Sequence, residues 1–284
     1  MSDRFVAKTD GKLFDLLVAH LPAWGRNLLR ERVQLGCVEV DGAPAMRTNH
    51  PVKAGSEVVV RSKAAAPPRP SATGPQLPVL FLDDDLLAID KPPGLLSVST
   101  DEGGDRTALL LARQLLPGGH GELLPAHRLD RETSGVLLFA RSHAMRDAVQ
   151  ADWQRTRKVY AVVVEGEVQG DGGTIDQPLW EDGNLRVRVG ANRDARPALT
   201  HWRVVQRGRG RTRLEVELGT GRKHQIRAHL AWLGHPVVGD DRYGTRGKRL
   251  ALHALRLELQ HPRTGAGLVL HAPVPPALLA ALSG

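Results

Sequence analysis

The spacing of apolar and polar positions divides the 284-residue chain into a short helix-led part and a long strand-rich part. Leu13, Leu16, Leu17 and Leu21 recur at helical spacing, and Pro22 stops that helix. A second helix fits 26–35, with Leu29 and Val33 on one face, Arg26 and Arg30 on a neighbouring face, and Gly36 at its end. Val38-Glu39-Val40 alternates like a strand, Asp41-Gly42 is a strong turn signal, and Val58-Val59-Val60 is a closing strand. Between 61 and 78, five prolines among Ala, Ser, Thr and Gly predict an extended linker.

Past the linker, Val79-Leu80-Phe81-Leu82 and Leu87-Ala88-Ile89-Asp90 read as strands joined by an acidic turn, Asp83-Asp84-Asp85. Lys91-Pro92-Pro93-Gly94-Leu95 is a rigid turn. Helices fit 107–116, ended by Pro117-Gly118-Gly119, and 143–155, with Met145, Val149 and Trp153 on one face. Between them, Val136 to Ala140 is an apolar run beside Gly135, the mark of a buried strand. From Lys158 to Val168 both faces are apolar, as in a central strand. Leu185, Val187 and Val189 alternate with Arg186 and Arg188, and Leu214, Val216 and Leu218 with Arg213, Glu215 and Glu217. A helix fits 224–233 through Ile226, Leu230 and Leu233, followed by strands at 250–259 and 267–271. Strands outnumber helices and do not alternate with them regularly, which predicts an α+β fold with a mixed, mostly antiparallel sheet. The expected organisation is a small module over 1–61, a linker over 62–77 and a main domain over 78–284.

Composition adds a partner. Hydrophobic residues are 41% and charged residues 25%, as in an ordinary folded protein, but 39 basic residues against 31 acidic ones give a net charge of +8. Such a surface favours a polyanion, most often nucleic acid. The single cysteine, Cys37, excludes an internal disulfide framework or a cysteine-based zinc site. No basic leader followed by an apolar run opens the sequence, and no stretch reaches the ~20 apolar residues of a membrane helix. The expectation is a cytoplasmic protein with no membrane partner, and a monomer by default.

Several chemistries drop out. There is no Gly-x-x-x-x-Gly-Lys-Ser/Thr loop for a nucleotide and no glycine-rich dinucleotide turn. His224 and His229 lie five apart, the wrong spacing for a zinc-binding helix, and Ser134-Gly135 lacks a nucleophile elbow. The chain therefore reads as free of cofactor and metal, with carboxylate chemistry surviving. The densest polar stretch is His127-Arg128-Leu129-Asp130-Arg131-Glu132-Thr133-Ser134-Gly135, set at the end of a core strand, where charges are partly desolvated. Two further constellations accompany it: Lys158-Val159-Tyr160, and Gly221-Arg222-Lys223-His224-Gln225-Ile226-Arg227. On its helix, Arg227 lies one residue off the Ile226/Leu230 stripe, so it can point into a cleft toward a buried carboxylate, which an arginine holds ionised. Taken singly, each cluster reads equally well as a structural ion-pair network, and Tyr160 as a core tyrosine.

Taken together, these residues carry a resemblance. His127-Arg128-Leu129-Asp130-x-x-Thr133-Ser134-Gly135-x-Leu137-Leu138 resembles the signature of the RluA family of pseudouridine synthases. Lys91-Pro92-x-Gly94-Leu95, Lys158-x-Tyr160, Gly221-Arg222-x-His224-Gln225-Ile226-Arg227-x-His229-Leu230, Gly239-Asp240-x-x-Tyr243-Gly244, Leu252-His253-Ala254 and His261-Pro262 follow in the family's order. The N-terminal part is similar to an S4 RNA-binding module, though Gly25 stands before Arg26 where that family usually has a hydroxyl residue. The resemblance implies that uridine in RNA is isomerised to pseudouridine without cofactor or metal. Asp130 would be the essential carboxylate, attacking C1′ or C6 or removing the C2′ proton. Tyr160 would stack on the base and be open to a general-base role, and Arg227 would pair with Asp130. Arg128 would fill the space left by the extruded base, with Val162 or Leu137 along the pocket wall. His127, Arg222, Lys223, His224, Arg26 and Arg30 complete the expected RNA contacts, with ribosomal RNA favoured over transfer RNA. The rival reading is an RNA-binding or ribosome-assembly factor that needs no catalysis.

Overall fold

A computed structural model describes residues 3–34, 36–45, 48–61, 77–98, 107–116 and 121–283. These fall into two units, one within Met1–Gln76 and Val98–Leu110, the other within Leu77–Ser97 and Leu111–Gly284. Most of the expected linker, 62–76, lies outside the described residues.

The first unit runs β1 (Asp3–Val6), β2 (Gly11–Lys12), α1 (Leu13–His20), α2 (Arg26–Gln34), β3 (Val38–Val40), β4 (Ala43–Pro44), β5 (Pro51–Val52) and β6 (Glu57–Val60). Its sheet has the order β1-β6-β3-β4. The leucines of the helical pattern form its core, Leu13, Leu17 and Leu29 being buried against Val38, Val58 and Val60. Asp41 and Gly42 both take positive φ (51° and 80°), the two-residue hairpin turn that lets Val40 pair with Ala43.

The second unit opens with β7 (Val79–Leu82) and β8 (Leu86–Lys91). Between β8 and the next strand lies α3 (Ala108–Arg113), shorter than expected because 114–116 turn rather than continue the helix. Then come β9 (Leu124–Pro125), β10 (Ser134–Ala140), α4 (His143–Ala151), β11 (Arg157–Glu165), β12 (Gly172–Asp176), β13 (Leu179–Glu181) and β14 (Val187–Val189). The chain finishes with β15 (Leu199–Arg207), β16 (Arg211–Leu218), α5 (Gln225–Trp232), β17 (Leu252–Gln260), β18 (Gly267–His271) and α6 (Pro276–Ala280). A ten-stranded sheet has the order β12-β15-β16-β11-β17-β10-β8-β7, with β18 on β17 and β9 on β10. This is the expected α+β fold: every pairing in that sheet is antiparallel except β10 with β17.

Two further sequence expectations differ from the structure. Leu185 is not on a strand with Val187 and Val189. It is exposed at φ 57° in a turn that Asp182 organises by accepting the N–H groups of Asn184 and Arg186. The helix expected over 143–155 stops at Ala151, yet Trp153 still packs in one cluster with Met145 and Val149. The long strand β15 carries no clean run of apolar residues, so its spacing predicts no strand: only Thr200 is buried in Leu-Thr-His-Trp-Arg-Val-Val-Gln-Arg.

The lone parallel pair sets the geometry of the centre. Gly135 lies opposite Ala254 on β17, and Tyr160 lies opposite the same Ala254 from the other side. A register shift between Val159 and Tyr160 re-aims the tyrosine, as bulges do. At Gly135, φ is +110° and an added Cβ would stand 2.2 Å from Ala254 O, so only glycine admits this close pairing. The turn carrying Asp130 therefore enters the sheet two strands from Tyr160.

Candidate active site

Asp130 stands on the turn before β10, closed by the Thr133 N–H donating to Asp130 O at 3.1 Å. Lys91 ties this turn down. Its buried ammonium donates to Pro92 O (3.0 Å), Leu95 O (2.7 Å) and Arg131 O (3.0 Å), using all three of its donors on main-chain acceptors. Burial pulls the Lys91 pKa down to about 8, against the opposing charges of Glu132, Asp130 and Asp90. The Gly94 N–H donates to Arg131 O (2.9 Å), and Arg131 Nε returns a bond to Gly94 O (3.0 Å). On the other flank, Ser97 Oγ donates to Leu129 O (2.8 Å) and accepts from the Leu129 N–H (3.0 Å). Behind the turn, Arg249 donates to Ser134 Oγ (2.7 Å), and Ser134 Oγ meets His253 Nδ1 at 2.9 Å.

α5 supplies the cation. Arg227 makes a two-pronged pair with Asp240, Nε to Oδ2 and Nη2 to Oδ1, both at 2.7 Å. Asp240 Oδ1 also accepts the N–H groups of Arg242 (2.9 Å) and Tyr243 (3.1 Å). Desolvation works against both charges. The mutual pairing, with the two amides on Asp240, outweighs it, so Arg227 is raised and Asp240 lowered from their ordinary pKa values. The remaining nitrogen, Arg227 Nη1, reaches Asp130 Oδ2 at 3.4 Å, and His224 Nε2 reaches the same oxygen at 3.7 Å. The buried carboxylate that holds Arg227 is thus Asp240; Asp130 receives only its third nitrogen. Asp130 is about one-third exposed (32%), against 7% for Arg227 and 0% for Asp240. No described residue bonds to Asp130 Oδ1.

An open cleft faces this carboxylate. Asp130, Tyr160, Arg227, Arg128, Arg222 and His224 all line it, together with Leu218, Ile226 and Leu252 as the apolar wall. Val162 and Leu137, expected on that wall, are instead fully buried in the core. The Tyr160 hydroxyl has no bonding partner among the described residues, and burial, with the Asp130 charge, raises its pKa above the usual phenol range. Arg128 is exposed at the rim, and Arg222 Nε is tied to Pro197 O at 3.2 Å.

The remaining expected RNA contacts lie elsewhere. His127 does not line the cleft: its Nε2 accepts the Leu138 N–H (3.1 Å), its ring stacks on Trp153 (4.8 Å between centroids), and desolvation drives its pKa down to about 4. Lys223 is off the cleft as well, paired with Glu181. Arg26 and Arg30 belong to the first unit, their guanidinium groups over the Phe14 ring at 5.6 and 4.9 Å. Asp240, Tyr243 and Ser97 carry no role in the sequence pattern alone, although the first two stand in a recognisable Gly-Asp-x-x-Tyr-Gly motif. Among the described residues, no group of His, Cys, Asp and Glu is arranged to hold a metal ion. None of the described helices is long and apolar enough to cross a membrane.

Comparison with known proteins gives concordant matches. The family described as RNA pseudouridylate synthase matches residues 85–232. Ribosomal large subunit pseudouridine synthase D of Nitrosomonas europaea is 34% identical, covering 95% of this chain and 83% of its own. An uncharacterized RNA pseudouridine synthase of Chloroflexus aurantiacus is 38% identical, over 94% and 88%. Among solved structures, human RNA pseudouridylate synthase domain containing 1 aligns with a TM-score of 0.64 at 25% identity, over 76% of this chain and 91% of its own.

Proposed function

The chain belongs to the RNA pseudouridylate synthase family, and from that premise we propose that it isomerises uridines of ribosomal RNA to pseudouridine with Asp130 as the reacting carboxylate. The observation that carries the reading is the state of that carboxylate. One oxygen is engaged by Arg227, no described residue bonds to the other, and the carboxylate lines an open cleft beside a tyrosine whose hydroxyl has no partner among the described residues.

The reaction breaks the N1–C1′ bond, turns the base and joins C5 to C1′; C5 loses a proton and N1 gains one. It is redox-neutral and adds no group. Attack or proton abstraction by Asp130 requires a carboxylate oxygen free of other partners, and no described residue bonds to Oδ1. Arg227 is held rigid by Asp240, so it offers Nη1 without moving, the preorganised arrangement that stabilises charge as it develops. Tyr160 works as a neutral phenol. Burial and the neighbouring carboxylate both oppose a tyrosinate, so its ring serves as the stacking platform for the base. Leu218, Ile226 and Leu252 supply the dry side of the base pocket.

A base inside a helix does not reach such a cleft, so the target is extruded, and Arg128 at the rim takes its place in the stack. The first unit acts as an S4-like module in which Arg26 and Arg30 contact phosphates, within a domain organisation of 1–61, a linker and 78–284. Arg222 adds a further phosphate contact at the rim. Ribosomal rather than transfer RNA is favoured by the relative named as a large-subunit enzyme.

Pseudouridine mapping of total RNA from cells with and without this protein tests the reading. One or a few uridines of large-subunit ribosomal RNA should lose modification, and wild-type protein but not Asp130→Asn should restore it. Loss confined to transfer RNA would overturn the target. Rescue of growth by Asp130→Ala without modification would favour the assembly-factor role.

A further inference from the structure

His224 lines the cleft, and the reaction above does not use its geometry. It sits at φ 51°, ψ 20°, at the start of α5, in a left-handed conformation uncommon for any residue but glycine. Strained backbone of this kind persists where its surroundings over-determine it, and it clusters at functional sites. The surroundings are explicit. His224 O accepts the Ala228 N–H (2.9 Å), and Gln225 pins the preceding turn by accepting from Thr220 Oγ1 (2.8 Å) and the Arg222 N–H (3.0 Å). The result aims the imidazole edge at the catalytic carboxylate, with Nε2 3.7 Å from Asp130 Oδ2.

The other ring nitrogen bears on where the proton resides. His224 Nδ1 lies 3.1 Å from Tyr243 Oη, and Tyr243 Oη already accepts the Val187 N–H at 3.1 Å. The Val187 N–H occupies one lone pair of that oxygen, and Nδ1 is the acceptor within reach of the hydroxyl proton among the described residues. A neutral ring then carries its own proton on Nε2, facing Asp130. Desolvation, together with the cations Arg227, Arg242 and Lys223, keeps the ring from charging, against the pull of Asp130. Tyr243 has its own neighbours, the guanidinium groups of Arg186 and Arg227 standing 5.3 and 5.4 Å from its ring centroid.

Resting on the function proposed above, we propose that His224 is a positioning residue for Asp130: a neutral imidazole, its proton fixed on Nε2 by Tyr243, that with Arg227 anchors Oδ2 and leaves Oδ1 as the oxygen that reacts. Two donors approach the same oxygen from different elements of the chain, Arg227 from within α5 and His224 from the turn that starts it. Arg227 alone would leave the carboxylate free to swing about that single bond. Two donors fix both its rotation and the identity of the free oxygen, as second partners do for other catalytic groups.

Nitrogen-15 imidazole spectroscopy of the whole protein, with His224 assigned by through-bond correlation to its backbone, reads the first half of this claim without reference to activity. The expected signature is a neutral Nε2–H tautomer at pH 7, becoming a tautomer mixture in Tyr243→Phe. An imidazolium or an Nδ1–H ring in the wild type would overturn the proposal, whatever the enzyme does to RNA. Single-turnover kinetics read the second half. His224→Ala should slow the chemical step at saturating RNA about 10-fold, the lower end of the worth of a hydrogen bond to a charged group, since Nε2 stands 3.7 Å from Oδ2. His224→Gln, whose amide nitrogen stands where Nε2 does, should recover most of that loss. Weakened RNA binding with an intact rate, or a glutamine variant as slow as alanine, would overturn it. Wild-type protein inert on RNA would remove the function proposed above, while the tautomer would still decide the state of His224.

Discussion

At the scale of residues, the site depends on charges that survive burial only in company. Arg227 and Asp240 are both sequestered and satisfy each other with two 2.7 Å bonds. Asp240→Ala should therefore cost about 3–5 kcal/mol of stability by leaving a buried guanidinium unpaired, as measured by urea unfolding, and should cost activity because Arg227 loses its anchor. Lys91 is the second such charge. Lys91→Met would leave the carbonyls of Pro92, Leu95 and Arg131 without their donor, and unfolding should show a loss of about 3 kcal/mol or more. A third group gives the site a pH dependence. Burial lowers the His253 pKa to about 4, so the unfolded chain binds its proton first as pH falls. The stability it permits is complete above the ordinary histidine range near 6.5 and is lost on descending toward 4. Between pH 7 and pH 5 the wild type should lose about 2 kcal/mol more than His253→Asn, which has no such proton to bind.

At the scale of elements, the parallel contact of β10 with β17 is the joint of the site. Gly135→Ala would drive a Cβ against Ala254 O and place alanine at φ +110°, so the variant should fail to form that pairing. Loss of cooperative unfolding, or of soluble protein, is the expected result. What was legible in the sequence follows from how local each signal is. The strand over 157–165 was plain because both of its faces are apolar, and α5 because Ile226 and Leu230 keep helical spacing. β15 was not, since threonine, histidine and arginine interrupt it and its pairing with β12 and β16, not its own composition, makes it a strand. The contact between β10 and β17 joins positions more than a hundred residues apart, which no local spacing reports. The same distinction holds in the cleft. Asp130, Tyr160 and Arg227 stood out through motifs, but only the fold reveals that Asp240 takes the larger share of Arg227, or that His127 turns onto Trp153.

At the scale of the whole molecule, the +8 charge and the proposed RNA partner make affinity a function of salt. Each phosphate neutralised by an arginine contributes about −0.7 to −0.9 to the slope of log affinity against log salt. Replacing Arg26 and Arg30 with glutamine should reduce that slope by about 1–2 and weaken binding of all RNAs alike, without changing the rate of the chemical step at saturation. An unchanged slope would remove these two residues from the interface.

The central claim is that Asp130 performs the isomerisation, and release of tritium from RNA labelled at uracil C5 measures it directly, because the C5 proton leaves only when the new carbon–carbon bond replaces it. Wild-type protein incubated with unmodified ribosomal RNA should release tritium, and Asp130→Asn, which keeps the shape of the side chain but not its ionised oxygen, should release none above background. Release by Asp130→Asn at the wild-type rate would contradict the account.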